Sequence, residues 1–167
     1  GGADVIAIGD PTATGEILGP NLFAAFAVPA INRLADAVHA LGLPVIVHIC
    51  GDMKGCRRYI PALHAEAIST DATVSLVKLK QDYPWLTTMG NVSTFLLEND
   101  TTHRAARTAA RLVREGVDII APACGLSTST RLEAIRAMTD AVRHPDDGLL
   151  AAGAEEGAAE EELPCPR

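Results

Sequence analysis

The chain has 167 residues, 48% hydrophobic, 21% charged and 4% aromatic, with 14 basic and 21 acidic side chains for a formal net charge of −7. That length and apolar fraction suit one ordinary folded domain and exclude wholesale disorder, and the negative balance argues against a nucleic-acid surface. No apolar run reaches the roughly 18 residues of a membrane span, no signal segment is visible, and four unevenly spaced cysteines do not make a secreted disulfide framework; a cytoplasmic protein with reduced thiols is expected.

Residues 4–9 form a short apolar run closed by Gly9-Asp10-Pro11, which predicts a buried strand and a turn. Residues 20–41 have helical spacing, with Phe23, Phe26, Ile31, Leu34, Val38 and Leu41 on one side. Pro29 is expected to split this stretch into a short and a longer helix, and Gly42 to stop it. Residues 44–48 predict a second buried strand. Residues 54–64 are weakly helical, with Pro61 near the end. A third strand follows over 67–70, a short helix over 74–81, and a fourth strand over 86–89, closed by Gly90-Asn91. Residues 100–115 carry the strongest helix signal, capped by Asp100 or a neighbouring threonine and stopped by Gly116. A fifth strand is predicted over 117–121. Thr130-Arg-Leu-Glu133 has the spacing of a capping box, in which hydroxyl and carboxylate each satisfy an orphan amide, and opens a helix to about Arg143. From Pro145 to Arg167 there are seven acids and one base. Nearly all the net charge therefore lies in a Gly/Ala/Glu-rich tail over 145–167, expected to be disordered, while the body over 1–144 is close to neutral.

Strands alternate with helices and are apolar on both sides, as parallel strands covered by helices are. Two α/β architectures fit: an open doubly wound sheet, or the last five or so units of a (β/α)8 TIM barrel, which needs about 250 residues. No GxGxxG or GxxxxGK[ST] phosphate loop supports a nucleotide site.

Candidate chemistry gathers at strand ends. His48 and Cys50 are two residues apart, so a strand continuing to Cys50 puts both side chains on one face. Cys124 follows the fifth strand directly. In any parallel α/β fold the C-terminal strand ends share one rim, where His48, Cys50 and Cys124 can converge as metal ligands. Spacing alone leaves open that the cysteines are small buried hydrophobes. Asp10 ends the first strand on the same rim, either as a ligand, base or substrate contact or as a turn-forming residue before proline; Glu16 follows it in the next loop. Cys56 is placed on the helix side and Cys165 in the tail. His39, His64, His103 and His144 read as structural or solvated. Lys54, Arg57 and Arg58 read as a solvated face with an anion site as the alternative. Arg104, Arg107, Arg111 and Arg114 form one exposed stripe.

Four segments carry a family resemblance: Asp10-Pro-Thr-Ala-Thr-Gly-Glu-Ile-Leu-Gly-Pro20, Val47-His-Ile-Cys-Gly-Asp52, Met89-Gly-Asn-Val-Ser-Thr94 and Ile120-Ala-Pro-Ala-Cys-Gly-Leu126. They resemble the uroporphyrinogen decarboxylase superfamily, and within it the methylcobamide:coenzyme M methyltransferases. The resemblance covers the body and implies a (β/α)8 barrel and a zinc ion held by His48, Cys50 and Cys124. It also implies a methylated corrinoid as co-substrate, brought by a carrier protein, and a small thiol as acceptor. Zinc favours such thiolate and imidazole sets, and catalytic sites keep one position open. A thiol bound there loses its proton yet stays nucleophilic beside two cysteine thiolates. The decarboxylases of the same superfamily resemble Gly-His-Gly where this chain has Ala123-Cys124-Gly125, and their substrate-binding positions lie largely in an N-terminal half without a counterpart here. A metal-free uroporphyrinogen decarboxylase is thus the alternative activity. A barrel remnant that only binds corrinoid or a partner is a third reading. About three β/α units have no counterpart at the front, so the missing half of the barrel is an expected partner, and the isolated chain is expected to be poorly soluble or to associate.

Overall fold

The computed structural model describes residues 1–146. All but the first two residues of the predicted tail lie outside the described residues, Cys165 among them. The elements run β1 (Ile6–Asp10), α1 (Gly19–Leu22), a π-helical turn (Phe23–Ala27), α2 (Val28–His39), β2 (Val45–Ile49), a 3-10 helix (Arg57–Ala62), β3 (Ala67–Thr70), α3 (Leu76–Asp82), β4 (Thr87–Met89), α4 (Thr94–Asn99), α5 (Thr102–Arg114) and α6 (Leu132–Arg143). The strands make one parallel sheet in the order β1-β2-β3-β4. Parallel neighbours need crossover connections, which the intervening helical segments supply. The fold is therefore α/β with a parallel sheet; the outer edge of β1 has no strand partner among the described residues.

The sheet has two unlike faces. Along β2, Val45, Val47 and Ile49 are fully buried, whereas Ile46 and His48 are half-buried. The covered face meets Phe23, Ile31 and Ala35 of the first helical path and Leu76 and Leu79 of α3 in one apolar core. The prediction of strands covered on both sides thus holds for β3, all four of whose residues are buried, while β1 and β2 keep one face partly open.

The fifth strand is a partial correction. The segment after Val117 does run parallel to β4, but as two bridges, Met89 with Ile119 and Val92 with Pro122. Hydrogen bonds run from Ile119 N to Thr88 O and from Ala123 N to Val92 O, at 3.0 and 2.8 Å. Between them Gly90 (φ 129°) departs from extended geometry, yet its N donates to Ile119 O and its O accepts from Ala121 N, at 2.8 and 3.4 Å. A side-chain clamp adds to these bonds: Lys80 Nζ donates to both oxygens of Asp118, and Asp118 Oδ2 also accepts from Thr88 N and Oγ1.

The first helix also differs from its prediction. Pro29 lies at the start of α2, and the π-helical turn joins α1 to α2 without a break. Phe23, Ile31 and Val38 pack on the core, but Phe26, Leu34 and Leu41 are 67%, 56% and 75% exposed. The six residues therefore occupy two sides of the helix. Gly42 and Gly116 end α2 and α5 with positive φ, as predicted, and Thr101 rather than Asp100 caps α5, accepting from Arg104 N. The capping box at Thr130 does not form. Thr130 N closes a turn onto Ser127 O, so the helix starts one residue later with Arg131 as N-cap, and the Thr130 hydroxyl is buried without a hydrogen-bond partner. Sequence reading missed α4, whose N-cap Ser93 accepts from Leu96 N.

Candidate metal centre

His48 is the fourth residue of β2, and Cys50 follows the strand's last residue. The strand's period of two keeps both side chains on the open face, while Val47 and Ile49 anchor the strand in the core. Cys124 comes from the segment bridged to β4, one residue after the bond from Ala123 N to Val92 O. The three side chains converge: His48 Nε2 stands 3.2 Å from Cys50 Sγ, and the Cys50 and Cys124 Sγ atoms are 3.4 Å apart. All three ligand atoms lie within 4.8 Å of one another, and among the described residues this is the one such His/Cys/Asp/Glu cluster.

The donor set fits zinc. Tetrahedral zinc with bonds of about 2.0–2.3 Å spaces its ligand atoms roughly 3.6–3.8 Å apart. The 3.2 and 3.4 Å separations need to open by only a few tenths of an ångström. Two thiolates would offset the charge of a divalent ion and leave a fourth position to an incoming molecule. Without a cation the same packing favours neutral forms. Burial lowers the pKa of His48, opposed by the charge of Asp71. Burial, the adjacent Cys124 thiol and the carboxylates of Asp71 and Asp10 push the Cys50 thiol up to about 11. Neutral imidazole is the form a metal needs, and the thiols must give up protons when it binds.

Asp10 does not join the cluster. Its Oδ1 accepts from Thr12 N, Thr12 Oγ1 and Ala13 N, at 2.9, 2.8 and 3.0 Å, so the carboxylate organises the turn after β1. The loop beyond is seated on the β2 loop by Gly15 N donating to Asp52 O at 2.9 Å. A Cβ at Gly15 would stand 2.7 Å from that oxygen, which only glycine avoids. Glu16 is exposed in this loop.

The remaining candidates are placed elsewhere. Cys56 is buried in the core. His39 pairs with Glu66 and His64 with Asp36, while His103 lies on α5 and His144 at the end of α6. Arg57 pairs with Asp82 and Arg58 stacks on the Tyr59 ring, so these two cations have partners within the chain. The arginine stripe is exposed as predicted, with Arg104, Arg111 and Arg114 paired to Asp100, Glu115 and Asp146.

Two features were missed in the sequence. Ser69 of β3 is only 4% exposed, and its Oγ lies 2.9 Å from His48 Nδ1. Beside the cluster lies a cavity of about 410 Å3, lined mainly by apolar residues including Ala7, Ile46, Met89, Pro122 and Leu126. Both depend on strand register, which brings Gly9, His48, Ser69 and Met89 into one row across the sheet.

Comparison with known proteins identifies the family. The family model described as uroporphyrinogen decarboxylase (URO-D) matches residues 1–145. The methylcobamide:CoM methyltransferase MtbA of Methanosarcina acetivorans is 26% identical over 144 residues, covering 86% of this chain and 42% of that protein. A methylated-thiol–coenzyme M methyltransferase of Methanosarcina mazei is 30% identical over 146 residues, covering 85% and 38%. A solved methyltransferase from Methanosarcina mazei has a TM-score of 0.76 at 28% identity, covering 86% of this chain and 42% of that one. The chain thus spans about two fifths of the length of these relatives. No helix among the described residues is long and apolar enough to cross a membrane.

Proposed function

The chain belongs to the uroporphyrinogen decarboxylase family, and from that premise we propose that it serves zinc-dependent transfer of a methyl group from a methylated corrinoid to a thiol such as coenzyme M. The observation that carries this reading is the convergence of His48, Cys50 and Cys124 on one point of the open sheet face. Similarity to proteins named as methylcobamide:CoM methyltransferases supports it.

In this reading His48, Cys50 and Cys124 hold the zinc. Bound there, zinc supplies the Lewis acidity that keeps a substrate thiol deprotonated near neutral pH, and two thiolate ligands leave it electron-rich. The chain's own contribution is placement. The buried alternate residues of β2 fix His48 and Cys50 in register, and the bond from Ala123 N to Val92 O fixes the approach of Cys124. The apolar cavity beside the ligands gives the reacting groups a surface poor in water, and holding them there lowers the entropic cost of their encounter. Asp10 acts through the turn it organises at the rim. The sheet is then part of a (β/α)8 wall with the cavity on its inner side, and a corrinoid carrier protein docks over the rim.

The test is methyl transfer by the zinc-loaded protein, mixing methylcobalamin with coenzyme M and following the methylcobalamin absorbance and the methylated thiol. Turnover is expected, with loss of both zinc and turnover in Cys124→Ser. Metal-independent conversion of uroporphyrinogen to coproporphyrinogen, without methyl transfer, would overturn the proposal in favour of the decarboxylase.

A further inference from the structure

Every side chain that holds a metal by one imidazole nitrogen must settle what the other nitrogen does. In this chain the answer lies one strand away. β2 and β3 pair in parallel with His48 opposite Ser69, so the two side chains rise from the same face as neighbours. His48 Nδ1 and Ser69 Oγ are 2.9 Å apart, while Nε2 is turned towards Cys50 Sγ. The opposite flank of His48 offers nothing comparable. Its partner on β1 is Gly9, and even a Cβ built there would meet no atom within 4 Å. Of the two neighbouring strands, β3 therefore supplies a side-chain polar partner to the imidazole and β1, with Gly9 at that register, supplies none. Ser69 itself is 4% exposed in a strand whose four residues are all buried, and His48 is its side-chain hydrogen-bond partner.

We propose that Ser69 is the positioning residue of the His48 ligand: its hydroxyl accepts the Nδ1–H bond, so that Nε2 presents its lone pair to the metal. The inference rests on the zinc reading above and deepens it. Ser69 touches neither substrate nor metal; it acts through His48, as outer-shell partners of metal-bound histidines do. Because a hydroxyl is what matters, threonine at the same position serves the purpose and alanine does not.

The experiment compares the full chain with its Ser69→Ala and Ser69→Thr variants in two readouts that do not involve turnover. The first is zinc affinity by competition with a chromophoric chelator. The expected result is a loss of about 10–100-fold in Ser69→Ala, with Ser69→Thr within about 3-fold of the parent chain. The second is the proton NMR signal of the His48 Nδ1–H in the zinc-loaded chain. It is expected to be protected from exchange in the parent and in Ser69→Thr, and to broaden into the solvent signal in Ser69→Ala. An unchanged affinity in Ser69→Ala overturns the proposal, as does a threonine variant no better than alanine. If Ser69→Ala fails to fold, the parent decides: an unprotected Nδ1–H in the zinc-loaded chain contradicts the assignment. Failure of the parent chain to bind zinc at all would instead remove the reading on which this inference stands.

Discussion

The two faces of the four-stranded sheet divide the labour of one short strand. On β2, Val45, Val47 and Ile49 point into a sealed apolar core, and the intervening Ile46 and His48 point to a half-open surface where the ligand cluster and the cavity lie. Stability is concentrated on the first face, because fully buried aliphatic side chains contribute most per residue. The candidate chemistry lies on the second, where His48 is half-buried with one side open and Ser69 beside it is buried, both carrying polar atoms into a largely apolar surround. A parallel strand thus places a reactive residue accurately by burying its neighbours, and the site inherits the rigidity of the core without being inside it.

Truncating alternate residues of β2 separates the contributions of the two faces. Ile49→Ala, on the sealed face, should destabilise the metal-free chain by about 2–5 kcal/mol in urea unfolding, through lost transfer energy and an uncollapsed cavity. Ile46→Ala, on the open face, should cost about 1 kcal/mol or less, because part of that side chain is already in contact with water. Equal costs would mean that the open face is also a packed core. A smaller effect isolates the clamp between β4 and the segment bridged to it. Burial works against the charge of Asp118, but hydrogen bonds from Lys80 and from Thr88 outweigh it and hold its carboxyl below the usual range. A depressed folded pKa stabilises the native state above the unfolded value of about 3.9 and loses that contribution as pH falls through the folded value. Asp118→Asn should therefore flatten the acid limb of the stability profile below about pH 4 and leave its slope near neutrality unchanged. An acid limb identical to the parent's would mean that Asp118 does not stabilise the fold through its charge. The group is partly exposed, so the change is expected to be modest.

The same division explains what could be seen in the sequence. β1 to β4 were legible to within about two residues because each is a short apolar run between turn residues. His48 and Cys50 were legible because a period of two needs no tertiary information, and Cys124 because the C-terminal ends of parallel strands share a rim. Ser69 and the cavity were not legible, since they depend on which residue of β3 stands opposite His48, and register is decided by packing. Phe26, Leu34 and Leu41 misled for a related reason: helical spacing reports apolar residues without saying which side meets the core. Thr130 misled because its backbone N–H is spent on a turn with Ser127, so a correct capping spacing falls one residue before the helix begins. α4 escaped notice because six residues are too few to display a helical period.

In the proposed function the open face holds one zinc ion through one imidazole and two thiolates. X-ray absorption at the zinc edge of the zinc-loaded chain tests it most directly. The expected result is about one zinc per chain, with two sulfur neighbours at about 2.3 Å and a nitrogen neighbour at about 2.0–2.1 Å, the sulfur contribution falling by half in Cys124→Ser if any metal remains. A chain that binds no zinc, or a first shell of oxygen and nitrogen without sulfur, would contradict it.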